Sequence, residues 1–95
     1  MNEEFLKWLV GHINKYNSTT RNALLAKVKY NPGQARKVIC DNLDGWIVQA
    51  KNEFTMGKYV TVDKEQASWK ILEYIEQEFA KEISNISRPA PLSAL

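Results

Sequence analysis

The stretch Asn31–Gly45, NPGQARKVICDNLDG, constrains this chain most, because helix signals mark both of its ends. Asn31 is a favourable N-cap. Pro32 suits the first helical position, where its missing N–H needs no partner. Gly45 suits the residue just past a helix end, where a positive φ is common. Between them Ala35, Val38, Ile39 and Asn42–Leu43 place an apolar stripe at helical spacing. The other face carries Gln34, Arg36 and Lys37 close to the N-terminus. The sequence therefore predicts a helix over 31–44, docked by its apolar back, with a basic, amide-bearing first half that suits a DNA groove.

Charge is polarised along the chain. From Phe5 to Cys40 there are seven basic residues and no acid; from Asp41 to Leu95 there are six bases and nine acids. Such a distribution suggests a basic surface offered to a polyanion. A solvated basic face with no partner is the plainer alternative. Other classes find little support. One cysteine, Cys40, allows no intrachain disulfide, and with one histidine there is no metal-ligating cluster, so neither metal nor cofactor is expected. Cys40, beside Ile39, reads as a structural thiol rather than a nucleophile. His12 reads as a packed or hydrogen-bonded histidine. With no Gly-rich phosphate loop and no suggestive acid pair, an enzyme is not expected. Glu3 and Glu4 stand where a signal peptide would be basic, and no apolar run reaches the ~20 residues of a membrane span. The expectation is a cytoplasmic, soluble protein.

At 95 residues the chain should form one small domain over 1–86, followed by a flexible tail over 87–95 (SRPAPLSAL). Phe5, Trp8, Leu9, His12, Ile13 and Tyr16 recur at spacings of three and four, which predicts a first helix over Glu3–Tyr16. Asn17-Ser18-Thr19-Thr20 breaks that pattern, and each of the four can cap a helix. A second helix follows from about Thr19 to Lys29, burying Ala23, Leu24, Leu25 and Val28. Helix, short turn, helix is the helix-turn-helix unit.

After Gly45 two readings compete. Either the helix ignores Gly45 and continues through Trp46, Ile47, Ala50 and Phe54, or Trp46–Ala50 is a strand. The segment Lys58–Val62 is strand-like, and Trp46–Ala50 is its nearest candidate partner. That favours a β-hairpin with its tip within Lys51–Gly57. A last helix, capped by Asp63 or Thr61, runs to about Ile86, roughly 33 Å. Trp69, Leu72, Ile75, Phe79, Ile83 and Ile86 form a stripe near the 3.5-residue period. A stripe that outruns so small a core suggests a dimer interface with a second copy, against packing wholly on the first helix. The predicted fold is mainly α with a small β-hairpin: three helices, a wing and a long C-terminal helix.

This order resembles the winged helix-turn-helix fold of DNA-binding regulators. The residues that carry the resemblance lie in LLAKVKYNPGQARKVICDNLDGWIV, Leu24 to Val48. Leu24, Val28, Asn31, Pro32, Ala35, Val38, Ile39, Gly45, Trp46 and Ile47 fall where such regulators place their helix stripes, turn and wing entry. Lys29 stands where they usually carry glycine, and Asn52-Glu53-Phe54 is less basic than their usual wing tip. The resemblance implies a sequence-specific binder of double-stranded DNA, a small transcriptional or replication regulator. Helix 31–44 would enter the major groove, with Gln34 on adenine and Arg36 on guanine. Lys37, Lys27, Lys29 and Arg21 would hold phosphates, with the N–H groups of Thr19 and Thr20 adding another contact, and Lys51 and Lys58 would flank the wing. A homodimer through the last helix would then ask for a two-fold-related operator.

A small viral or plasmid-borne adaptor or inhibitor that binds a protein is the rival reading, since fold does not fix function. Trp46, Phe54, Met56 and Tyr59 would then be wing anchors for a partner. Arg21, Lys27, Lys29, Arg36 and Lys37 sharing one face would favour DNA. Their scatter, with an exposed apolar wing patch, would favour a protein.

Overall fold

The computed structural model describes residues 3–54 and 63–86. They form five helices: α1 (Glu3–Asn14), α2 (Ser18–Tyr30), α3 (Pro32–Phe54), α4 (Lys64–Glu78) and α5 (Ala80–Asn85). No strand occurs among the described residues. The helix starts follow local chemistry. Asn17 accepts the N–H of Thr20 at 2.8 Å and opens α2. Asp63 accepts the N–H groups of Glu65 and Gln66 at 2.9 and 3.3 Å and opens α4. Asn31 serves two helices at once. Its N–H closes α2 on the Lys27 carbonyl at 2.7 Å, and its own carbonyl accepts the N–H of Ala35 at 3.0 Å. Its side-chain oxygen accepts the N–H of Gln34 at 3.3 Å, and its amide donates to Gln34 Oε1 at 3.2 Å. The first of this pair satisfies an N–H that a helix start otherwise leaves open, and the second holds the two side chains together.

α3 is the central element. Ala35, Ile39, Leu43, Trp46, Ile47 and Ala50 lie along one stripe and are each at most 6 % exposed. The helix packs most widely on α4 and α2, and more narrowly on α1. Along α1, Phe5, Trp8, His12 and Tyr16 form a ladder of rings with centroids 5.8, 4.9 and 5.2 Å apart. Trp8 Nε1 donates to Glu53 Oε2 at 2.6 Å, and Trp46 Nε1 to the Tyr16 hydroxyl at 3.1 Å. These bonds tie the middle of α1 and the turn that follows it to the second half of α3. The one buried polar side chain of the described core, Ser68, donates back to the Glu65 carbonyl at 2.7 Å.

The winged helix-turn-helix expectation is overturned: Trp46–Ala50 is helix, not a strand, and no hairpin exists among the described residues. The helix does not stop at Gly45 but runs on to Phe54. The reason is packing. A mid-helix glycine costs about 1 kcal/mol relative to alanine. Burying Trp46 and Ile47 contributes about 1.5–3 kcal/mol each. Both continue the stripe begun by Leu43, whereas a strand would send these neighbours to opposite faces. Asn52 and Glu53, expected at the wing tip, lie in the last turn of α3. The proposed partner strand Lys58–Val62, the anchors Met56 and Tyr59, and the tail 87–95 lie outside the described residues.

The long last helix is also corrected. It bends at Phe79, whose φ of −110° and ψ of 23° separate α4 from α5. No proline or glycine stands there. The new direction is held by tertiary bonds at the far end. Lys29 Nζ donates to the Ile86 and Ser84 carbonyls at 2.9 and 3.4 Å, and the Tyr30 hydroxyl to the Ile86 carbonyl at 3.1 Å.

Candidate functional site

The expected DNA-contacting side chains do not form one surface. α3 has a buried stripe and two flanks. On the flank toward α4, Arg36 lies 3.8 Å from Glu65 and 4.6 Å over the Trp69 ring. A turn further on, the Cys40 thiol meets the Lys64 carbonyl at 3.7 Å. Beyond it Lys64 donates to Asp44 at 2.6 Å. That hydrogen bond, and then the Asp44 charge, hold the Lys64 ammonium above the usual lysine value. Arg36 is therefore occupied as a bridge between helices. Lys37, one position on, is exposed on the outer face of α3, which also carries Asp41 and the exposed Val48.

On α2 the bases diverge too. Arg21 falls in the same helical stripe as Leu24, Leu25 and Val28, half-buried, with its Nε shielded and unpaired. Lys29 is committed to the end of α5. Lys27 alone turns toward the opposite flank of α3. Gln34 is exposed but engaged with Asn31. Thr20 gives its N–H to Asn17, so that donor is already taken. Lys51 is half-buried in the last turn of α3, and Lys58 lies outside the described residues.

The expected dimer stripe is mostly spent inside the chain. Leu72, Ile75 and Phe79 are at most 3 % exposed, while Trp69 is 52 % exposed under Arg36. Ile83 and Ile86 are half-buried against the same core. Trp46, expected as a wing anchor, is 4 % exposed.

What the second flank of α3 forms instead is a groove of about 370 Å³ between α2 and α3. Thr19, Thr20, Ala23, Leu24 and Lys27 line it from α2, and Val38, Asn42 and Trp46 from α3, with Tyr16 at one end. On each wall residues recur at i, i+4 and i+8, so the groove follows the helices for about 12 Å. Ala23 is the reason it is open: a methyl faces the gap where a larger side chain would close it. No carboxylate lines it. Among the described residues, no group of three histidine, cysteine, aspartate or glutamate side chains stands ready to hold a metal ion. No helix there is long and apolar enough to cross a membrane.

Sequence reasoning placed Ala23 in the core and never paired it with Val38 and Asn42. The Thr19/Ala23/Lys27 and Val38/Asn42/Trp46 series were available as a signal. Their meaning depends on which helix flank meets which, and no single-helix pattern carries that. No family model, curated protein or solved structure matches the chain.

Proposed function

We propose that this protein is a small interaction domain, helical in its described residues, that binds another protein rather than catalysing a reaction. The observation that supports this reading is the α2–α3 groove: two turns long, mostly apolar, and walled by two rigid helices. An amphipathic helix laid into such a groove by side chains at i, i+3, i+4 and i+7 is a recurrent mode of recognition. The scatter of Arg21, Lys27, Lys29, Arg36 and Lys37 weighs against DNA. Of these five, Arg21, Lys27 and Lys37 have no polar side-chain partner among the described residues, and Arg21 is half-buried toward the core while Lys27 and Lys37 belong to different faces.

The test is selection from a displayed library of helix-forming peptides against the wild type and Ala23→Trp. Ala23 is exposed, so the indole fills the groove without entering the core. The expected result is enrichment of amphipathic sequences on the wild type and loss of their binding on Ala23→Trp. Equal retention by both would overturn the groove as the site. Salt-sensitive binding to random-sequence duplex DNA, with no peptide enriched, would overturn the protein-binding reading and restore the nucleic-acid one.

A further inference from the structure

The groove's polar groups are unequal in kind, and that difference specifies the occupant. Among the described residues Lys27 is its only charged one, and the Lys27 side chain makes no hydrogen bond or ion pair there. The Tyr16 oxygen accepts from Trp46 Nε1 at 3.1 Å, so its own O–H is left to donate. The hydroxyls of Thr19 and Thr20 add two further donors at the same end. On the opposite wall one N–H of the Asn42 amide is spent on the Val38 carbonyl at 2.8 Å, which leaves its second N–H and the Oδ1 acceptor. Ala23, Leu24, Val38 and Trp46 supply the apolar floor. Hydroxyl donors gather at one end of the α2 edge, a cation stands at the other, and among the described residues no carboxylate competes.

We infer that the occupant is an acidic amphipathic helix. Its aliphatic side chains seat between Ala23 and Val38, a glutamate or aspartate on its flank meets Lys27, and acceptor groups about two turns away along it meet the Tyr16 and Thr20 hydroxyls. This rests on the groove being the binding site, as proposed above. A charge-assisted hydrogen bond at a half-buried lysine is worth more than an exposed pair and fixes the orientation of the bound helix. A nucleic acid fits less well, because a single cation lies between apolar walls and no second phosphate-spaced base shares the groove.

The experiment titrates two synthetic helix-forming peptides of equal length into the full chain, one carrying leucine with glutamate flanks and one carrying leucine with lysine flanks. The readout is the Trp46 indole N–H resonance, which sits on the groove floor, together with the amides of Ala23, Lys27, Val38 and Asn42. The glutamate peptide is expected to shift these resonances and to bind the wild type about fivefold more tightly than the lysine peptide. Lys27→Glu should reverse that order. Equal binding of both peptides in the groove would overturn the acidic preference while leaving the groove reading intact. If neither peptide moves the groove resonances, the inference and the binding reading fall together. Shifts produced by duplex DNA at these same resonances, and not by the glutamate peptide, would also overturn it.

Discussion

The two flanks of α3 begin from the same sequence pattern and end in opposite states. Toward α4 the seam is closed, as Arg36, Cys40 and Asp44 each reach a group on α4. Toward α2 it is open, as Val38 and Asn42 face a gap and Asn42 bonds only to its own helix. The difference lies in side-chain reach. On the closed flank Arg36 and Asp44 meet charged side chains and Cys40 meets a backbone carbonyl, while the open flank faces two threonines, an alanine and one lysine with no side-chain partner among the described residues. A helix that must be buried along one stripe can thus be sealed on one side and left available on the other.

Three substitutions sharpen that contrast. Ile39→Ala empties a fully buried site beneath both seams and should cost about 2–5 kcal/mol, read from urea unfolding. A much smaller loss would mean that the stripe is not the common support. Arg36→Ala opens the closed seam alone. It removes a partly exposed ion pair and a ring contact, so about 0.5–1 kcal/mol is expected, with peptide binding in the α2–α3 groove unchanged. A change in groove binding would show that the seams are coupled. Gly45→Ala lies on neither seam. Nothing stands within 4 Å of an added Cβ, so the variant should be more stable by about 0.5–1 kcal/mol, seen as a higher Tm. Destabilisation there would argue that α3 does end at Gly45.

Local chemistry was legible in the sequence. Asn17, Asn31 and Asp63 mark helix starts through their own side chains, and Pro32 fits the first turn of α3 whatever surrounds it. What the sequence could not yield was decided by distant partners. Trp46, Ile47 and Val48 favour strands in isolation, yet two of them complete a core stripe whose other half lies on α1 and α4. Phe79 bends a helix with no local breaker, because Lys29 and Tyr30 hold its far end. The basic residues are close in sequence, but their helical angles send Arg21 toward the core, Arg36 toward α4 and Lys27 toward the gap. The groove belongs to the pairing of two helices, and neither helix records it alone.

Asn31 also bears on the speed of folding. One residue joins α2 to α3, and its backbone and side chain complete hydrogen bonds on both sides. Bringing these helices together closes almost no loop, so little chain entropy opposes their meeting. The contacts nearest the elbow are short-range in sequence, the kind associated with rapid formation in helical domains. The elbow at Asn31 therefore makes α2 and α3 the natural nucleus, and the groove between them can take shape before α4 seals the other side.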